Sequence, residues 1–371
     1  MNLIATAAFG LEALVKDELI RLGFCDAKCL DNRVEFFAKD FSRAIAQTNI
    51  WLRCADRVLV MLGRFTTTTY DDLFEQTKAL PWDEWITKDG KFTVTGKSVR
   101  SGLYSVPDVQ SIVKKAVVEK LKTKYRIEWF AETGAEYTIQ ISLLKDVATL
   151  TIDTTGHASG LHKRGYRARA TQAPLKETMA AALIKLSRYN KSRAFYDPCC
   201  GSGTLPIEAA LVAKNIAPGI SRKFAAEKWK NVPSAVWKEV RKDAYAKIKQ
   251  DAQPIIQAAD ISPQAIELAK QNAELAGVDD LIEFFTQPLS KTVLPTERGI
   301  AIVNPPYGER LGEVKQAELL YGELSKIFNT TKWNVYVLTP DEFFETAYKK
   351  KARAKRKLFN GMIKTDYYQY F

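Results

Sequence analysis

The chain has 371 residues, 46% of them hydrophobic and 26% charged, enough for two or three domains of ordinary globular composition. No run approaches the roughly 18 apolar residues of a membrane span, and Met1-Asn-Leu-Ile-Ala-Thr-Ala7 lacks the basic start of a signal peptide, so a cytoplasmic protein is expected. Fifty-five basic residues against 43 acidic ones leave a net charge of +12, which suits a polyanionic partner such as nucleic acid.

Residues 1–55 read as a small α/β unit: a strand from Asn2, an amphipathic helix from Leu11 to Leu22 stopped by Gly23, a strand over Arg33–Phe37 and a helix from Asp40. Between residues 56 and 155 the rhythm repeats. Strands at Val58–Leu62, Lys91–Gly96, Glu136–Leu143 and Val147–Asp153 alternate with helices at Asp71–Ala79 and Pro107–Leu121. Such a succession implies helices against a mostly antiparallel sheet, an α+β arrangement. Residues 156–171 show no period and carry Lys163, Arg164, Arg167 and Arg169, a basic linker that reads either as a solvated connector or as an RNA contact.

From residue 172 onward, strands ending at Asp197, Asp260, Thr286, Val303 and Thr339 alternate with helices, so the second half is expected to be α/β with a parallel, doubly wound sheet. An insertion at 215–252, rich in lysine, arginine and tryptophan, interrupts it. Five cysteines without regular spacing suit free thiols. The two histidines, His157 and His162, share one segment, so no metal site is expected and no imidazole serves elsewhere.

The stretch Phe195-Tyr-Asp-Pro-Cys-Cys-Gly-Ser-Gly-Thr-Leu-Pro-Ile-Glu208 puts a glycine loop between a strand and a helix. It lacks the lysine of a nucleoside triphosphate loop, and Pro206 occupies the third small position of a dinucleotide fingerprint. What remains is a loop where Gly201 and Gly203 let the backbone approach a ligand without phosphate. Asp197 at the strand tip suits a ligand ammonium group, and Asp260 at the end of the next strand suits ribose hydroxyls. Asn304, in Ile302-Val-Asn-Pro-Pro-Tyr-Gly308, offers a side-chain carbonyl, and the Pro305 carbonyl offers another. Together they can orient an exocyclic amine, while Tyr307 can stack a base.

These motifs, "DPCCGSGTLPIEAA", "ADISPQAIELAKQNAELAG" and "NPPYGERLG", resemble those of S-adenosylmethionine-dependent amino methyltransferases. With "APLKETMAAALIKLS" and "SVPDVQSIVKKAVVEKL", they resemble more narrowly the THUMP-domain RNA guanine-N2 methyltransferases of the 23S ribosomal RNA type, over essentially the whole chain. The resemblance implies a ferredoxin-like unit at 1–55, a THUMP RNA-binding domain at 56–155 and a Rossmann-like methyltransferase domain at 172–371. It implies S-adenosylmethionine held by Asp197, Cys199, Gly201, Gly203 and Thr204, by Asp260, Ile261 and Gln287, and by Leu175 and Lys176. Gln287 departs from the pattern, since many relatives carry an acid near the adenine amine. Cys199 and Cys200 are expected to pack rather than react, because a guanine amine needs no enzyme thiol.

The expected reaction is in-line methyl transfer to guanosine N2, with Asn304, Pro305 and Tyr307 as catalytic residues on a flipped base and no strong general base. RNA is the expected partner, 23S ribosomal RNA or a large-subunit assembly intermediate. Lys349, Lys350, Lys351, Arg353, Lys355, Arg356 and Lys357 give seven basic residues in nine, and Asn360 follows. That run is expected to grip phosphates, with Lys97, Arg100 and Gln110 as further candidates in the THUMP half. Rival readings are a transfer RNA guanine-N2 enzyme, an adenine-N6 DNA methyltransferase and a non-catalytic ribosome-assembly factor.

Overall fold

The computed structural model describes residues 1–157, 160–167, 175–306 and 311–371, with only the backbone of 311–314. The chain divides into two compact units.

The first unit comprises residues 1–7, 15–161 and 222–243. It is built on strands β1 (Asn2–Ala7), β2 (Lys28–Leu30), β3 (Arg33–Phe37), β4 (Ala55–Thr66), β5 (Lys91–Val99), β6 (Glu136–Leu144) and β7 (Val147–Asp153). The helices are α1 (Glu12–Arg21), α2 (Phe41–Trp51), α3 (Tyr70–Ala79), the one-turn α4 (Trp82–Trp85) and α5 (Val106–Tyr125). Side-chain caps start two of them: Asp40 accepts the Arg43 amide at 3.0 Å, and Thr69 accepts that of Asp72 at 3.2 Å. The strands form one sheet in the order β2-β3-β1-β4-β7-β6-β5, antiparallel except for β5 beside β6. The ferredoxin-like and THUMP segments therefore share a single sheet.

The insertion read in the second half contributes residues 222–243 to this first unit, including most of α8 (Ser234–Ala246). Its anchor is Trp229, whose ring stacks on Tyr137 at 5.1 Å, meets Trp85 edge-on at 6.0 Å and donates from Nε1 to the Glu136 carbonyl at 3.0 Å. Arg43 pairs with Asp243 at 2.8 Å and also with Glu239. The tryptophans that made the insertion look unusual are its packing surface.

The second unit holds residues 8–14, 162–221 and 244–371. Its strands are β8 (Ala194–Asp197), β9 (Ile256–Asp260), β10 (Ile282–Thr286), β11 (Gly299–Val303), β12 (Asn334–Thr339), β13 (Ala354–Asn360) and β14 (Ile363–Tyr370). Its helices are α6 (Glu177–Leu186), α7 (Thr204–Ala213), α9 (Pro263–Ala276), α10 (Leu311–Phe328) and α11 (Phe344–Tyr348). The order β10-β9-β8-β11-β12-β14-β13 is parallel across β10 to β12 and closes with an antiparallel hairpin. Consecutive strands run outward from β8 in one direction, and β11 returns to its other side. That reversal opens a crevice at the carboxyl ends of β8 and β11, where α/β sheets bind ligands.

The basic run at 349–357, expected to lie beyond the sheet, instead leaves α11 and enters β13, an edge strand of that hairpin. Exposed Lys355 and Lys357 alternate with half-buried Ala354 and Arg356, the charged guard that keeps an open edge from pairing with another chain. No helix among the described residues is long and apolar enough to cross a membrane.

Candidate active site

Three strand ends assemble the site in the second unit. β8 delivers Asp197, β9 delivers Asp260, and Asn304 and Pro305 follow β11 directly. The loop after β8 is tied down at several points. The Cys200 amide donates to the Ala259 carbonyl at 2.9 Å, the Gly201 amide to Asp260 Oδ2 at 2.9 Å, and Asn272 Nδ2 to the Ser202 carbonyl at 2.9 Å. Gly201 and Gly203 take φ of +52° and +81°, a region costly for residues with a Cβ. Their surroundings differ. A Cβ on Gly203 would lie 3.0 Å from the Ala269 Cβ, because the start of α7 sits against α9, whereas one on Gly201 would meet nothing within 4 Å.

Asp197 is 1% exposed and accepts the Cys199 amide at 3.1 Å. Burial, with Asp260 as a smaller contribution, pushes its carboxyl well above the usual range despite that bond. A ligand cation placed here would relieve the cost of ionising it. Asp260 spends Oδ2 on Gly201 and Oδ1 on the Ser262 amide at 2.9 Å, so its carboxylate ties the glycine loop to the start of α9. Ser262 caps α9 and Pro263 begins it. Ile261 projects an apolar side chain that is 74% exposed. The Gln287 backbone amide donates to the Asp260 carbonyl at 3.0 Å.

Burial pushes both the Cys199 and Cys200 thiols well up, away from the thiolate a nucleophile requires. Asn304 is half-buried and Pro305 buried; Tyr307 lies outside the described residues. Leu175 is buried and Lys176, exposed, precedes α6 without a side-chain cap bond.

The remaining predicted residues belong to other elements than the strand ends that build this cluster. In the basic run, Lys350 sits 6.0 Å over the Tyr370 ring, Arg353 lies 4.9 Å over Phe371, Lys355 pairs with Glu345, and Arg356 donates to the Gly10 carbonyl at 2.5 Å. Lys349, Lys351 and Lys357 are exposed, and Asn360 begins the hairpin turn. In the first unit, Lys97 and Gly96 line a cavity of about 250 Å³ on one sheet face, with Arg33, Thr95, Gln140 and Thr151. Burial and then Arg33 lower the Lys97 pKa, although its side chain stays exposed at the mouth. Arg100 is exposed at φ +52°. Gln110 sits on α5, within 3.2 Å of where a Gly96 Cβ would lie.

Sequence reading missed the charged cluster behind the loop. Arg164 pairs with Glu208 at 3.2 Å, with side chains 2% and 0% exposed, and Tyr166 donates to Glu208 at 3.3 Å. The stretch expected to be a basic linker thus turns Arg164 inward. The available signal was Glu208 itself, one acid in the apolar helix Thr-Leu-Pro-Ile-Glu-Ala-Ala-Leu-Val-Ala, since a buried acid requires a partner. Among the described residues no group of three or more His, Cys, Asp or Glu could hold a metal.

This arrangement fits S-adenosylmethionine: an open approach over Gly201, a buried carboxyl with no ion pair among the described residues, and an acid at the end of the second strand. Comparison with known proteins agrees. Residues 2–59 match the RlmL ferredoxin-like domain, 67–153 the THUMP domain and 164–369 the RMKL-like methyltransferase domain. The Bacillus subtilis protein named "Putative RNA methyltransferase YpsC" is 49% identical, over 100% of this chain and 96% of its own length. A Psychromonas ingrahamii ribosomal RNA large subunit methyltransferase K/L is 33% identical over 96% of this chain, which spans 48% of that longer protein. The solved structure of "SMU.472, a putative methyltransferase complexed with SAH" superposes with a TM-score of 0.93 at 42% identity, covering 100% of this chain and 97% of that one. The chain belongs to the RMKL-like family of S-adenosylmethionine-dependent methyltransferases, with the THUMP and RlmL ferredoxin-like domains ahead of the catalytic one.

Proposed function

We propose that the protein methylates the exocyclic N2 amine of a guanosine in 23S ribosomal RNA. The observation that carries this reading is the position of Asn304 and Pro305 directly after β11, next to β8 and its Asp197 at the strand-order reversal. When bound, S-adenosylmethionine supplies an electrophilic methyl group on a sulfonium.

In this reading the chain's own residues divide the work. Asp197 meets the ligand ammonium, Asp260 the ribose, and Ile261 and Gln287 the adenine. The loop at Gly201 and Gly203 lets backbone approach the ligand, beside Cys199 and Thr204, with Leu175 and Lys176 closing the other side. The Asn304 side-chain oxygen and the Pro305 carbonyl accept the two amine protons, which aims the nitrogen lone pair, while Tyr307 stacks on the extruded base. Alignment of this kind can contribute about 7–11 kcal/mol to lowering a barrier, so a strong base is unnecessary and the released proton passes to water.

RNA as the substrate is supported by the THUMP match and by the ribosomal RNA methyltransferase named among the relatives. Lys349, Lys351 and Lys357 are exposed members of the basic run that would meet phosphates; Lys97 and Arg100 would contact RNA in the first unit. The reading is tested by incubating the protein with tritiated S-adenosylmethionine and total RNA or genomic DNA, then digesting to nucleosides. Label in N2-methylguanosine of large-subunit RNA supports it; label in transfer RNA would move the substrate, and label in DNA adenine would overturn it.

A further inference from the structure

Arg167 reaches both the start of α6 and the start of α7 at once. Its Nη2 donates to the Leu175 carbonyl at 3.1 Å and to Thr204 Oγ1 at 2.7 Å, and its Nη1 lies 3.6 Å from Glu177. Leu175 precedes α6, Glu177 is the first residue of α6, and Thr204 is the first residue of α7, directly after Gly203. The Arg167 side chain is only 15% exposed; Nη1 and Nη2 make these contacts, while Nε is buried with no hydrogen-bond partner among the described residues.

We propose that Arg167 is a positioning residue of the cofactor site, setting the spacing between the Leu175–Lys176 segment and the glycine loop. The inference rests on the cofactor reading above and adds a residue to it. A planar guanidinium with donors in a fixed fork can bridge a carbonyl, a hydroxyl and a carboxylate together; a lysine ammonium matches the charge but not the fork. The neighbouring Arg164–Glu208 pair braces the same stretch against α7 without touching residues 175 or 204 in these bonds. Arg167 links the two sides of the site through its bonds to Leu175 and Thr204. Movement of Thr204 carries the Gly201–Gly203 backbone with it, because Gly203 is the N-cap residue bonded directly to Thr204.

The test uses the full-length chain as wild type, Arg167→Lys, Thr204→Val and the double variant. Titration calorimetry gives the S-adenosylmethionine dissociation constant, urea unfolding gives stability, and anisotropy gives affinity for a labelled ribosomal RNA oligonucleotide without cofactor. Each single variant is expected to weaken cofactor binding by about tenfold. The double variant should fall well short of the product of the two, because both remove the same bond. RNA affinity should hold. Unchanged cofactor affinity in either single variant overturns the proposal, as do fully multiplicative effects. A loss of RNA affinity alone would make Arg167 an RNA contact instead. Should Arg167→Lys unfold, Arg167→Gln, which keeps a planar amide donor, decides by the same criterion. A wild type that binds no cofactor would overturn the site itself, an outcome distinct from wild-type binding with unaffected variants.

Discussion

The Gly201 amide donates to Asp260 Oδ2 at 2.9 Å, so the acid closing the second strand of the methyltransferase fold also holds the glycine loop after the first. Two motifs separated by 59 residues in the chain thus share one carboxylate. Replacing it should disturb the loop as well as any ribose contact. Asp260→Asn, which keeps one oxygen acceptor, should weaken S-adenosylmethionine by about tenfold, and Asp260→Ala by about a hundredfold. Calorimetric titration checks this; equal losses in the two variants would mean that loop tethering contributes nothing.

The cofactor affinity should fall on acidification. Burial holds the Asp197 carboxyl well above its unfolded value in the ligand-free chain. By linkage, its contribution to stability is full below the unfolded pKa and is lost as pH rises through the folded one. Binding of a cationic ligand runs the opposite way, because it favours the ionised carboxylate. Titrations in two buffers of different ionisation enthalpy should detect proton release on binding, and Asp197→Asn should abolish it.

The two loop glycines should separate in their effects. Gly203→Ala imposes both a strained φ and a 3.0 Å contact with Ala269, while Gly201→Ala imposes only the strain. The first should cost about 1–3 kcal/mol of stability and the second about 1 kcal/mol. Cofactor binding should suffer in Gly201→Ala, whose Cβ enters the open approach. Denaturant unfolding beside calorimetry measures each; a Gly201→Ala chain binding normally would remove the loop from the ligand's path.

Trp229→Ala should destabilise the first unit by about 3–5 kcal/mol, as removal of a buried tryptophan does. Its ring is 2% exposed and contacts both Tyr137 and Trp85. Urea unfolding followed by circular dichroism tests this. A loss below about 1 kcal/mol would show that the 222–243 segment adds little to that core.

Much of this was legible in the residues, and the failures share a cause. Helix α9 was readable because its signals are local: Ser262 and Pro263 open it, apolar spacing fills it and Gly277 ends it. The strands ending at Asp197, Asp260 and Val303 were likewise marked by short apolar runs before the functional residues. The β13–β14 hairpin was hidden because its first strand is an edge, where lysine and arginine replace the β-branched residues of interior strands. Its turn was nonetheless marked by Asn360-Gly361, which joins strands paired from Asn360↔Ile363 outward. Arg164 and Arg167 could not be assigned inward from the sequence, because Glu208 and Glu177 lie 44 and 10 residues further along it. The insertion's tryptophans raised the same difficulty: composition marked them as unusual, but only the fold brings Trp229 to Tyr137.

The most direct test of the account compares wild type with Asn304→Ala in tritium transfer from S-adenosylmethionine to large-subunit ribosomal RNA, with cofactor binding measured alongside. We predict labelled N2-methylguanosine in the wild type, a loss of about a hundredfold or more in the variant, and unchanged cofactor affinity. Equal labelling by the two proteins would contradict the role assigned to Asn304, and label in DNA adenine would contradict the substrate.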